Sequence, residues 1–176
     1  DVYKRQVLDC TLRDGGYIND WRFGRRTIMS ILDKLDQAHI DIVECGFLTR
    51  MVQEKECSLF NSTAEIEEVL PNRKRNSMYV AMVAIGEKEL HPSQLDPYDG
   101  KGIQGIRLTF HKNEVEQAFE WAQIIMEKGY HVFMQPVGTV FYSDIELLQL
   151  VEKINALHPY AFLSLIHISE PTRRSY

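Results

Sequence analysis

Val7-Leu8-Asp9-Cys10-Thr11-Leu12-Arg13-Asp14-Gly15-Gly16 is the stretch of this 176-residue chain from which the fold is read. A short apolar run reads as a strand, and its exit in Arg-Asp-Gly brings a cation and a carboxylate to the rim of a sheet. The glycine pair then permits a tight turn or the close approach of a ligand. Charge of both signs at a strand end suits a site that holds a metal ion and an anionic oxygen. A salt-bridged turn is the plainer alternative for the same residues.

Outward from this stretch, strand and helix alternate. Val7 to Cys10 is the first predicted strand, and Thr27 to Ala38 a helix with Ile28, Ile31, Leu32 and Leu35 on one face. Asp41 to Phe47 is a second strand, and Ser62-Thr63 with Glu65 starts a helix that ends before Pro71. Met78 to Ile85 is almost continuously apolar, as in a strand buried on both faces. Residues 86 to 102 read as loop with at most a turn of helix. Ile103 to Phe110 is a fourth strand, Glu114 to Lys128 a helix capped by Gly129, and Tyr130 to Val137 a fifth strand. Ser143 to Leu157 is a helix with Ser143 as N-cap and Glu146 placed for a capping box, and Tyr160 to Ser164 begins a sixth strand.

This alternation predicts an α/β protein with a parallel sheet. The glycine-rich G-x-G-x-x-G turn of a doubly wound nucleotide-binding sheet is absent. Polar residues instead stand at several strand ends: Arg13-Asp14, Glu44, Arg107 with His111, and Gln135. That distribution favours a (β/α)8 barrel, whose chemistry sits at the C-terminal ends of its strands. A complete barrel takes about 250 residues, so the expectation is a truncated one: five βα units and the start of strand six.

Composition is that of an ordinary globular chain, with 44% hydrophobic and 26% charged residues. A net charge of −5 gives no reason to expect a nucleic acid or an anionic membrane as partner. No apolar run approaches the roughly 18 residues of a membrane span. Cys10, Cys45 and Cys57 lack C-x-x-C spacing and point to a reducing, cytoplasmic compartment, and Cys10 and Cys45, in apolar strand-like runs, read as buried thiols. Residues 1–6 and 165–176 continue no neighbouring pattern and read as non-native terminal sequence, leaving 7–164 as a partial domain.

The residue types suggest a chemistry. Asp14 is suited to be a first ligand for Mg²⁺ or Mn²⁺, which take oxygen donors. Arg13 cannot lose its proton and can fork onto an oxyanion, stabilising the enolate of a 2-keto acid. Glu44, a charge in an apolar strand, needs a nearby cation, and Arg13 is the candidate. For His111 the alternative is a solvated loop residue, and for Gln135 it is a hydrogen bond to a neighbouring loop.

Leu8 to Gly16, followed by Glu44-Cys45-Gly46-Phe47, resembles the DRE-type barrel metallolyases, which include hydroxymethylglutaryl-CoA lyase, isopropylmalate synthase and 4-hydroxy-2-oxovalerate aldolase. Gln135 to Thr139 and Tyr142-Ser143-Asp144 add to the likeness, which covers Val7 to Ser164 and is nearest the aldolase and pyruvate-carboxyltransferase-like branch. The resemblance implies a metal-dependent aldolase or lyase acting on a 2-keto acid or related carbonyl substrate through an enolate. It implies Asp14 as metal ligand, Arg13 as the enolate-stabilising cation and Glu44 as the residue that orients it. Arg107 and His111, at the polar end of the fourth strand, are implied on the substrate side, and Gln135 and Tyr17 are read there from their own positions.

Two departures accompany it. The oxovalerate aldolases carry a histidine shortly after Arg-Asp-Gly, whereas Gly16 to Trp21 holds none and presents Tyr17. The His-x-His metal ligands are expected beyond residue 164, outside this fragment. A non-catalytic ligand-binding barrel domain and an inactive truncated fragment are the competing expectations. Homo-oligomer contacts and a partner enzyme in the full-length form are left open by the sequence.

Overall fold

A computed structural model describes residues 6–50, 55–86, 90 and 95–164. Its strands are β1 (Leu8–Asp9), β2 (Ile42–Leu48), β3 (Leu59–Phe60), β4 (Met78–Ala84), β5 (Gly105–Phe110), β6 (His131–Pro136) and β7 (Ala161–Phe162). Between them lie the helices α1 (Thr11–Asp14), α2 (Gly16–Asn19), α3 (Arg25–Gln37), α4 (Thr63–Glu67), α5 (Val115–Glu127) and α6 (Asp144–Leu157). All strand pairs are parallel, in the order β1-β2-β4-β5-β6-β7. β3 pairs with Phe47 and Leu48, further along the edge of β2 that β1 occupies at Ile42 and Val43.

The expected truncated (β/α)8 barrel of five βα units is not what forms. The sheet is an open, curled half-barrel with Rossmann-like alternation, and β1 and β7 stand at its two edges without pairing to each other. The βα series is also irregular, although α4 does join β3 to β4. β2 leads to β3, which pairs with β2 itself, and β4 reaches β5 without a helix among the described residues. The β4–β5 connection carries Pro97, Gly100 and Gly102, and Asp99 accepts a hydrogen bond from the Lys101 N–H at 2.9 Å in a tight turn. Polar residues at several strand ends therefore do not distinguish a closed barrel from a curled open sheet. The turn of helix expected between 86 and 102 falls partly on 87–89 and 91–94, outside the described residues.

Period-two alternation sorts the strand side chains onto two faces. Val43, Cys45, Tyr79, Ala81, Val83, Ile106, Leu108, Val132 and Met134 join the large core beneath the helices. The other face, the concave one, holds a smaller apolar cluster of Ile42, Val80 and Phe133, with Leu8, Met78 and Ala161 packed on it. Glu44, Arg107 and Gln135 follow on the same face, one step further toward the C-terminal strand ends. Tyr79 to Val83 are all buried, as the unbroken apolar run predicts.

Local signals account for the helix ends. Ser143 Oγ accepts from the Glu146 N–H, and the Glu146 carboxylate accepts from the Ser143 N–H at 2.8 Å, the predicted capping box of α6. Ser62 caps α4 through the Glu65 N–H at 3.2 Å. The inner face of α3 buries Ile28, Leu32 and, at the same helical spacing, Asp36. Asp36 stays in the core because it accepts from the N–H groups of Asn76 and Ser77, at 2.8 and 3.0 Å, and from Arg73 at 2.5 Å. Among the described residues no helix is long and apolar enough to cross a membrane.

Candidate functional site at the strand ends

The decisive stretch folds differently from its first reading. β1 stops at Asp9, and Arg13 and Asp14 lie in the one-turn helix α1 instead of extending a strand. Asp9 causes the switch: its carboxylate accepts from the N–H and the Oγ1 of Thr11, each at 3.0 Å, turning the chain away from the sheet. Ser58 then holds α1 down by donating to the Leu12 carbonyl at 2.6 Å.

Trp21 is the organising residue that sequence reasoning missed. Its indole Nε1 donates to the Arg13 carbonyl at 2.9 Å. Its ring meets Tyr17 and Phe47 edge-on, with centroids 5.0 and 5.8 Å apart. A Cβ at Gly16 would lie 2.0 Å from the indole, so the second glycine of the pair serves a close approach by Trp21. Trp21 and Asp20 both have positive φ, at 59° and 55°, a strained conformation for non-glycine residues that marks the turn as held from outside. The one available signal was a tryptophan five residues beyond a glycine.

Five of the residues singled out in the sequence form a chain of contacts across the concave face. Gln135 Oε1 accepts from Arg107 Nη2. Arg107 Nη1 donates to Glu44 Oε2 at 2.5 Å and to Cys10 Sγ at 3.2 Å. Glu44 Oε1 accepts from Arg13 Nε, and the Arg13 terminal nitrogens engage both oxygens of Asp14. Glu44 has no accessible surface, so two guanidiniums supply the compensation that a buried carboxylate requires. Burial opposes the charge on Arg13, but Glu44, with Asp14, more than offsets it and raises the guanidinium above its usual value. The Cys10 thiol is pushed up by burial and by Glu44, against the pull of the two arginines.

A cavity of about 240 Å³ opens beside this chain, with Arg13, Tyr17, Thr109, His111 and Gln135 as its polar walls. Phe47, Met82, Ile85, Phe110 and Val137 make its apolar side. Arg107 and Glu44 lie behind these walls and not on them. Tyr17 is 63% exposed, and His111 is also exposed, its backbone N–H bound to Glu114 at 2.7 Å. A larger groove of about 770 Å³ runs between α3 and the segment after α4 and shares no lining residue with this cavity. Of its charged groups, Arg73 is engaged by Asp33 and Asp36, Arg75 by backbone carbonyls and Glu68 by Arg25.

The divalent ion that the resemblance implies would need oxygen donors free to turn toward it. Asp14 is the exposed carboxylate of the cluster, and Arg13 already faces both of its oxygens. No three His, Cys, Asp or Glu side chains among the described residues come together to hold a metal. By themselves these residues do not fit the ion.

No protein-family model matches the chain, and no curated protein matches it in sequence. Among solved structures it is similar to one described as the "N-terminal domain of a putative aldolase from Bacteroides vulgatus", with a TM-score of 0.59 and 20% identity. The fold is aldolase-like. The match covers 91% of this chain and 54% of that one, so the chain spans about half the length of the structure it resembles. At this identity the likeness concerns the fold, and the function is argued from the cavity and its walls.

Proposed function

We propose that the strand-end cavity binds a small 2-keto acid or related carbonyl compound and that the chain is part of a carbon–carbon lyase or aldolase working through an enolate. The observation that carries this reading is the setting of Arg13, a permanently charged donor on the wall of a small, part-apolar cavity. Its Nε is tied to a buried carboxylate and its plane is fixed by a second carboxylate. A donor held in this way loses little on reorganising when negative charge develops on an oxygen, which is what stabilises an enolate.

In the cleavage direction a base removes the substrate hydroxyl proton, and the carbon–carbon bond breaks as that oxygen becomes a carbonyl. The released electron pair moves onto the keto acid, whose enolate oxygen faces Arg13. Protonation of the enolate carbon completes the reaction. Tyr17 and His111 are the cavity-wall groups able to move a proton, and of the two side-chain types an imidazole is better matched to neutral pH than a phenol. The metal-dependent, 4-hydroxy-2-oxovalerate aldolase-like form of this reading rests on the sequence resemblance, and each of these steps uses side chains alone.

The test is exchange of the pyruvate methyl protons with D2O, followed by proton NMR with and without added Mn²⁺. Exchange that is lost in Arg13→Ala supports the proposal. Absence of exchange in the wild-type protein under both conditions overturns it, and binding of pyruvate without exchange would favour a non-catalytic binding module.

A further inference from the structure

We propose that Gln135 is a ligand-orienting donor of the cavity and that Arg107, which lies behind the wall, is the positioning residue that fixes its amide. The inference deepens the keto-acid reading above and rests on it for the identity of the ligand.

Arginine donates hydrogen bonds and accepts none, so a glutamine that meets it must turn its carbonyl toward it. Gln135 does so, with Oε1 on Arg107 Nη2. Both side chains are buried, Arg107 at 3% and Gln135 at 4% exposure, so at the point where they meet water offers neither a substitute partner. Rotating the amide by half a turn would set its NH2 against the guanidinium, leaving buried donors facing each other.

Arg107 is itself unable to follow such a rotation. Its Nη1 is held by Glu44 Oε2 at 2.5 Å and by Cys10 Sγ at 3.2 Å. Its Nε is buried with no hydrogen-bond partner among the described residues, so the plane of the fork is set by what the two terminal nitrogens hold. Glu44 is anchored in turn by Arg13 on its other oxygen. The orientation of one neutral amide on β6 is thereby tied to residues on β2, β5 and α1.

The consequence lies in the cavity. With its oxygen committed, the group Gln135 has left to offer is the NH2, a pure donor, and Gln135 lines the cavity while Arg107 does not. Arg13, another pure donor, lines the same space from α1. Two donors reaching the cavity from different elements select a ligand that presents acceptor oxygens, such as a carboxylate next to a carbonyl or enolate oxygen. A ligand presenting an N–H or O–H at the same point would leave donor against donor, the mismatch that gives polar sites their discrimination.

The experiment is Gln135→Glu, with oxalate as the probe, since it offers four acceptor oxygens and no donor. Glutamate keeps an acceptor for Arg107 and replaces the donor facing the cavity with a second acceptor. The expected result is an affinity for oxalate, measured by isothermal titration calorimetry, at least about tenfold below wild type, at a melting temperature equal to or above it. Equal affinity in the two proteins overturns the proposal, and so does wild-type affinity in the uncharged Gln135→Met, which removes the donor without adding a repelling charge. Failure of wild type to bind both oxalate and pyruvate would instead overturn the keto-acid reading. The positioning claim has its own readout in the ¹H–¹⁵N resonances of the Gln135 side-chain amide. These should shift and exchange faster with solvent in Arg107→Lys, and unchanged resonances in a folded variant overturn the positioning role.

Discussion

Glu44 and Arg107 are 63 positions apart in the sequence and meet at 2.5 Å on the concave face of the sheet, where the glutamate has no accessible surface. With Arg13 on the other carboxylate oxygen, Glu44 is the joint of the whole cluster. Replacing it by leucine leaves two guanidiniums without their shared counter-charge. Glu44→Leu should therefore cost about 3–5 kcal/mol in urea denaturation. Asp14→Asn, by contrast, changes an ion pair whose carboxylate is 59% exposed, and should cost less than about 1 kcal/mol. Similar losses in the two variants would show that Glu44 is not the joint.

Asp36 links stability to acid pH. Burial alone would raise its pKa, but the Ser77 and Asn76 N–H groups, with Arg73, hold it below the ordinary value of 3.8. The folded protein thus binds this proton less tightly than the unfolded chain. The stabilisation is complete above 3.8 and is lost as the pH falls through the depressed value. Asp36→Asn should lose about 2 kcal/mol near neutrality, and the gap to wild type should narrow in acid. A gap independent of pH would contradict this.

Gly46 carries a second constraint. Its φ is 139°, and a Cβ there would lie 2.0 Å from the Ser58 carbonyl oxygen. The same Ser58 holds the Leu12 carbonyl in α1. Gly46→Ala should cost about 2–3 kcal/mol and should also move Arg13. Circular dichroism melting checks the first effect and oxalate affinity the second.

Cys10 touches a guanidinium yet should behave as an inert thiol. Burial and Glu44 raise its pKa, which leaves less thiolate at neutral pH than a free cysteine has. Iodoacetamide should label Cys10 more slowly than it labels glutathione, as followed by peptide mass spectrometry. Glu44→Gln removes one of the two causes and should speed the labelling.

Much of this arrangement was legible in the residues, for a physical reason in each case. Helical spacing of Ile28 and Leu32 and the unbroken Met78 to Ile85 run reflect burial directly, so α3 and β4 could be read from them. Glu44 declared its need for a cation because a charge in an apolar strand is costly wherever the strand lies. Arg107 could not be assigned in the same way. Its partners Glu44 and Gln135 come from other strands, and its place behind the cavity wall depends on the register that pairs Arg107 with Met82 and Phe133. The helical turn at Arg13 was hidden because Asp9 starts it by a side-chain contact that competes with the β-favouring apolar run. Sheet closure was misjudged because it depends on whether the first and last strands meet, and no local pattern encodes that.

The strand-end cluster joins two carboxylates, Asp14 and Glu44, to two guanidiniums, Arg13 and Arg107. Their formal charges cancel, so the mouth of the cavity projects little long-range field. The cluster itself would therefore not steer an anion from a distance but recognise it on arrival by the direction of the bonds awaiting it.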